Sequence, residues 1–408
     1  MAHSERPDTP GSDTVSGAIA EVARLVRLEY PAARALILTG SAARGEATLL
    51  RTTSGIRWLS DLELLAVVAN SADLQREVQT LNSLSARIGR SLQQAGVQVS
   101  VELTPAPERY FSLIRPHLFG CELLAHGKQL YGAEDYLARI PRFGASQIPK
   151  EDGWRLLSNR MVEWLDFMRR SSSMPPDEQL YILAKQYLDL ATSLSIFSGD
   201  YAASYRERAQ QLGSLARWIR SEGPELPVDR FVEAVRLATD FKLGGDAARG
   251  WFRDPGSADL RSGLEEPAWA RLLEDLPMML VTAWRWEIRA LCGRTVSAPA
   301  DTVGALRRLY GWRQKLRGWA TLVLRPHLRS DGALFSRIGR LFPLGTPRAL
   351  VYVCAQQLLE QSRRRDPQAL AWVKRHLPVI YGECSHDWDA LAGQCVRNWQ
   401  QFLRRGYA

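Results

Sequence analysis

Lysine is scarce in this chain: six of the 53 basic residues (Lys128, Lys150, Lys185, Lys242, Lys315, Lys374) stand against 47 arginines. Such a skew follows GC-rich coding as readily as selection for a polyanion. The net charge of +9 is therefore not by itself a nucleic-acid signature. Cysteine is sparse too. The five cysteines (121, 292, 354, 384, 395) are odd in number and lack CxxC spacing, so neither a disulfide framework nor a zinc knuckle is indicated. No run approaches the ~18–20 consecutive apolar residues of a membrane span, and no membrane partner is expected. The opening residues, MAHSERPDTPGSDT, lack the apolar core of a secretory signal. They read as a disordered tail over 1–13, and a cytoplasmic protein is expected. Internal repeats and low-complexity tracts are absent.

What is present is ordinary globular composition: 408 residues, 46% apolar and 24% charged, enough for two domains with real cores. Residues 1–150 carry 16 basic and 15 acidic groups, whereas 151–408 carry 37 and 29. The positive excess, +8, thus belongs to the second part.

Val15, Ile19, Val22 and Val26 share one helical face, and Pro31 ends the run. Ala35–Thr39 is a short apolar strand leading into Gly40-Ser41, and Asp61–Ala69 reads as a second buried strand. Leu74, Val78, Leu81, Leu84, Ile88 and Leu92 form an amphipathic helix closed by Gly96. Val97–Leu103 then alternates apolar and polar residues with period two, as a strand does. The spacing predicts a small α+β domain over 14–140. A turn-rich segment, Pro141–Gly153, closes it. Helical periodicity dominates 151–408, with a possible sub-boundary near 253–268. Twelve of the 13 tryptophans lie in this helical part, where packing between helices is their ordinary use.

The chemistry-bearing residues are ordered along the first domain. A strand ends in Gly40-Ser41, where glycine allows close backbone approach and the N–H groups of a following helix favour an anion. Asp61 and Glu63, two apart on a strand, share a face. Glu102 is a lone charge between Val101 and Leu103. Three carboxylates near such a turn are the hard-oxygen set that Mg²⁺-assisted phosphoryl transfer uses.

In this order and on these element types, Gly40-Ser41, Asp61-x-Glu63 and Glu102 resemble the nucleotidyltransferases of the DNA polymerase β type. The segment SDLELLAVV and the run Val99-Ser100-Val101-Glu102 are similar to the kanamycin-nucleotidyltransferase-like members. Glu122–Gly132 is similar to the segment that closes this domain in bacterial members. The resemblance covers residues 15–135, and Ala47–Leu59 is an insertion relative to it, a long loop or hairpin. It implies an α+β nucleotidyltransferase domain with a small mixed sheet, followed by an all-α domain. It further implies transfer of a nucleoside monophosphate from an NTP to an acceptor hydroxyl, releasing pyrophosphate. Asp61, Glu63 and Glu102 would bind two Mg²⁺ ions, with Glu102 as general base. Gly40, Ser41, Arg44 and Lys185 would contact the nucleotide. The acceptor stays open among a small molecule, a protein and a tRNA end.

Plainer readings stand beside these. Ser41 is a natural helix cap. Glu46 is a natural partner for Arg44 or Arg51, and Lys185 for Asp189 at i, i+4. Tyr205 and Arg206 are weaker phosphate candidates, and Cys384, His386, Asp387 and Cys395 match no zinc spacing. Two further readings of the whole remain: a non-catalytic nucleotide-binding or regulatory (antitoxin-like) protein on the same fold, and an RNA-directed nucleotidyltransferase.

Overall fold

The computed structural model describes residues 12–52, 55–244, 266–294, 296, 299–324, 332–382 and 384–403. The chain is mixed: two small sheets lie near the N-terminus and the rest of the described residues are mainly helical. Contacts divide them into two compact units. The first comprises the described residues of Met1–Ile148 together with Ala202–Glu207 and those of Asp240–Ala258. The second comprises those of Pro149–Tyr201, Arg208–Thr239 and Asp259–Ala408. The first part of the chain thus gathers two short segments from within the helical region, which the linear reading of domains does not include.

The first unit opens with α1 (Ser12–Glu29), β1 (Ala35–Leu38) and α2 (Gly40–Arg44). Next come β2 (Leu49–Thr52), β3 (Gly55–Trp58), β4 (Leu62–Val68) and α3 (Leu74–Gln94). It continues with β5 (Val97–Gln98), β6 (Val101–Pro107), α4 (Glu108–Leu113), α5 (Leu118–His126) and β7 (Lys128–Gly132). The main sheet has the order β6-β4-β1-β7; β4 and β6 are parallel, and β1 is antiparallel to both its neighbours. Its two faces are buried separately. Leu36, Leu38, Leu64, Ala66 and Val68 pack with Val22 and Val26 of α1 and with Leu81, Leu84 and Ile88 of α3. Ile37, Leu65, Val67 and Ala106 pack with Phe111, Ile114 and Leu123 on the other side. That double cover is why β4 reads as a continuous apolar run rather than an alternating one.

Two local readings are refined. The 47–59 insertion is the β2–β3 hairpin, paired in register from Leu49 with Trp58 to Thr52 with Gly55. The single strand expected over Val97–Leu103 is two, because β5 pairs with β3 in the small sheet whereas β6 pairs with β4 in the main one. Leu62 N–H reaches Ser100 O at 2.8 Å, so the chain between them bends while still satisfying the strand edge.

The helical part holds α6 (Lys150–Arg170), α7 (Pro176–Ser198), α8 (Tyr205–Ser221) and α9 (Val228–Leu243). Beyond these are α10 (Glu266–Cys292), α11 (Pro299–Leu309), α12 (Trp312–Val323) and α13 (Gly332–Leu341). Last come α14 (Pro347–Glu360), α15 (Pro367–His376) and α16 (Trp388–Leu403). The sub-boundary expected near 253–268 lies outside the described residues up to Glu266; the expected tail does so up to Gly11, and helix begins at Ser12. Tryptophan does serve as packing here. Trp154 lies 6.0 Å from Trp284 and 5.6 Å from Tyr352, centroid to centroid. Trp284 donates to Ser158 Oγ at 2.8 Å.

The bundle also buries an acid. Glu287 of α10 is fully buried, with Ser193 Oγ donating to it at 2.5 Å, and burial pushes its carboxyl up to about 8. An unfolded glutamate ionises near 4.5, so between about 4.5 and about 8 the folded chain holds one proton more than the unfolded one. Stability contributed by the neutral acid is present below 4.5 and is lost as pH rises through 8. Glu287→Gln is therefore expected to remove that slope and to raise stability at pH 7 by ~1–3 kcal/mol. Urea unfolding of both proteins at acid, neutral and alkaline pH measures this. A slope unchanged in the variant would assign the dependence to another group.

Candidate functional site

The site lies at one end of the main sheet in the first unit, where β1 finishes and β4 and β6 begin. Register decides what meets there. Glu63 and Glu102 are paired positions on parallel neighbours, so the two carboxylates leave the same face on strands about 4.8 Å apart. They extend the row whose next members, Leu65 with Thr104 and Val67 with Ala106, run along that face. Asp61 comes just before β4, which starts at Leu62, rather than within it.

The turn after β1 reaches the same place. Thr39 N–H donates to Glu63 O at 2.9 Å, and Gly40 follows with φ of +64°. A methyl group placed on Gly40 would lie 2.5 Å from Glu63 Oε2, inside van der Waals contact. Glycine is thus required twice, by the left-handed backbone and by the carboxylate resting on its α-carbon. The helix that follows is shorter than expected. It is the five-residue α2, stopped by Gly45 at φ +70°, and it buries Ser41, Ala42 and Ala43.

Burial differs from the sequence expectation. Asp61 and Glu102 are exposed and Glu63 is half-buried, so these acids are not desolvated charges in an apolar interior. The strand's apolar run, Leu64–Val68, starts immediately after Glu63, and the acids sit at its solvent end. The donors are all carboxylate oxygens, the kind that Mg²⁺ takes. Among the described residues, however, no group of three His, Cys, Asp or Glu side chains is arranged to hold a metal ion. The strands hold the donors in register without closing them into a cage.

Arg44 is not presented to a ligand. Its side chain is 6% exposed, with Nε 3.1 Å from Glu46 Oε2 and Nη1 2.9 Å from Glu122 Oε2. The guanidinium also lies over the Tyr205 ring, 5.3 Å from its centroid, and the buried Lys242 ammonium lies 5.8 Å from the same centroid. Glu46, 3% exposed, accepts in turn from the backbone N–H groups of Tyr205 at 3.1 Å and Arg206 at 3.0 Å. Thr48 Oγ1 donates to Lys242 O at 3.2 Å. This cluster fastens the segments Ala202–Glu207 and Asp240 onward to the loop after α2. The Arg44–Glu46 pairing is visible in the sequence at i, i+2. The partners Glu122, Tyr205 and Lys242 carry no sequence signal, because only the fold brings them near.

Lys185 sits half-buried on α7 in the second unit. Its expected i, i+4 partner Asp189 instead lies 3.3 Å from Arg160 Nε of α6. Glu108 is engaged by Arg34 and by Tyr136, whose hydroxyl donates to it at 2.9 Å; the Arg34 contact holds its carboxyl below the usual range. Cys395 is fully buried and donates to Val351 O at 3.5 Å, whereas His386 is exposed. His327 falls outside the described residues.

Set against protein-family models, curated proteins and solved structures, the chain matches none. Its site must be read from its own residues.

Two substitutions test that geometry. Gly40→Ala and Gly45→Ala incur the same left-handed strain, about 1–2 kcal/mol, but nothing lies within 4 Å of a methyl at Gly45. Gly40→Ala is expected to cost measurably more in urea unfolding, and the excess should vanish when Glu63 is also alanine. Equal losses at both glycines would remove Glu63 from contact with the turn. Arg44→Met leaves Glu46 buried without its cation and is expected to cost about 3–5 kcal/mol. A loss within the ~1 kcal/mol of an exposed pair would show the cluster to be solvent-accessible.

Proposed function

We propose that the chain is a nucleotidyltransferase that moves a nucleoside monophosphate from an NTP to an acceptor hydroxyl and releases pyrophosphate. One observation carries this reading: two register-paired carboxylates on parallel strands, with a left-handed glycine seated against one of them. Asp61, Glu63 and Glu102 would hold Mg²⁺, and when bound the ions neutralise charge on the phosphates and orient them. Gly40 would line the approach for the polyphosphate, because no side chain on it stands between backbone and ligand, and Ser41, whose side chain is buried, would contribute through its backbone. Glu102, exposed and on the outer of the two strands, is placed to accept the proton of an incoming hydroxyl. Arg44 leaves the list of nucleotide contacts and becomes the strut behind the turn.

The exposure of Asp61 and Glu102 supports a second reading. Acids left in water cost a non-catalytic protein nothing to retain, so their presence does not by itself argue for turnover. A nucleotide-binding or regulatory protein would keep the turn and lack turnover.

Glu102→Gln separates these. Calorimetry with ATP and Mg²⁺ is expected to give affinity within about tenfold of the unsubstituted chain, or ~1.4 kcal/mol. Labelled-NTP turnover is expected to fall by about 10²–10⁴. Full turnover in the variant would remove Glu102 as base. Nucleotide binding without turnover in the unsubstituted chain, across sugar, aminoglycoside, protein and tRNA acceptors, would favour the second reading, and absence of nucleotide binding would sink both.

A further inference from the structure

Four of the exposed large apolar side chains fall within 24 residues of the second unit: Trp312 at 64% exposure, Leu316 at 51%, Leu324 at 66% and Phe335 at 55%. Three of them step along one face of α12 and its cap at intervals of four and eight, with Ala320 between. The helix is held by the neighbouring face, and Trp312, at its first position, lies at the edge of that face. Lys315 Nζ donates to Arg307 O and Pro343 O, each at 3.1 Å, and Trp319 Nε1 donates to Gly345 O at 3.0 Å. One tryptophan of α12 is therefore spent on packing while the other is turned outward.

Arginine is the exposed charge on and near this helix. Arg307, Arg308, Arg313 and Arg317 are exposed, and none of them forms an ion pair among the described residues. Arg313 lies over the Trp312 ring, 5.6 Å from its centroid.

We propose that this face docks on an anionic lipid surface, the apolar stripe entering the headgroup boundary and the arginines meeting lipid phosphates. The contact is peripheral, and no helix among the described residues is long and apolar enough to cross a membrane. An exposed tryptophan and leucines beside arginines are the chemistry of an interfacial helix. Charge complementarity selects an anionic occupant. A second copy through the same patch is disfavoured, since a two-fold contact would set these arginines against one another. Bases stacking on the patch would use Trp312 and Phe335 but leave Leu316 and Leu324 without a role. A docked peptide helix needs a groove with walls, whereas these side chains stand half to two-thirds exposed. The inference is independent of the nucleotidyltransferase reading.

The test is co-sedimentation of the full chain with vesicles of phosphatidylcholine alone and of equimolar phosphatidylcholine and phosphatidylglycerol. Binding is expected to the second only, and to weaken as salt rises from about 0.1 M to about 0.5 M. The double variant Trp312→Ser/Leu316→Ser should bind at least about tenfold more weakly, with an unchanged circular dichroism spectrum and unfolding midpoint. Arg313→Gln/Arg317→Gln should bind more weakly with a shallower salt dependence. No binding to the anionic vesicles, or equal binding by the serine variant, overturns the proposal. So does a single-stranded oligonucleotide bound through the same residues while vesicles are ignored.

Discussion

A carboxylate at 3% exposure has to be neutralised and hydrogen-bonded, and Glu46 meets both demands with groups from distant parts of the chain. Arg44 supplies the charge, and the N–H groups of Tyr205 and Arg206 supply the remaining bonds from 159 and 160 residues away. Because those two N–H groups begin α8, Glu46 also caps a helix that its own segment does not contain. Arg44 extends the tie to Glu122 of α5. Three stretches of chain are thereby fixed to the few residues after Gly40-Ser41. Removing any member leaves a buried charge or an orphaned donor, so the arrangement behaves as a unit.

That anchorage gives the turn at Gly40 a rigid back wall, and the sheet gives it a floor. Parallel pairing of β4 with β6 sets Glu63 beside Glu102, and antiparallel pairing of β1 with β4 delivers Gly40 onto Glu63. Two like charges on paired positions repel unless a cation or a proton lies between them. Their place at the solvent end of an otherwise buried strand keeps that cost low.

The second unit handles its polar groups differently. Arg160 and Asp189, Ser193 and Glu287, and Asn159 with Tyr352 and Trp399 are matched pairwise inside the helices. Each match crosses between helices, so each specifies which helix faces which more sharply than apolar packing does. Glu287 is the extreme case, an acid that burial pushes towards its neutral form, with the Ser193 hydroxyl beside it and no cation paired with it among the described residues.

Much of the first unit was legible in the sequence, since it depends on local pattern. Leu81, Leu84, Ile88 and Leu92 recur at helical spacing and are all buried, and the apolar runs at Ala35–Leu38 and Leu64–Val68 are strands because both their faces are covered. The glycine turn was legible in Gly40-Ser41 at the end of an apolar run, whereas 47–59 could be read as loop or hairpin, and Asp61 lies before β4 and not within it. Tertiary structure decided the rest. Period two could not say that Val97–Leu103 would divide between two sheets, because alternation does not name a pairing partner. Nor could it say that Arg44 would be buried and Asp61 and Glu102 exposed. The burial of a charge is set by whether distant chain supplies its counter-charge: Glu122 and residues 204–206 do so for Arg44 and Glu46, while the open end of the sheet leaves Asp61 and Glu102 in water. The sequence determined which charged residues gather at this end of the sheet; long-range packing determined which of them are buried and which exposed.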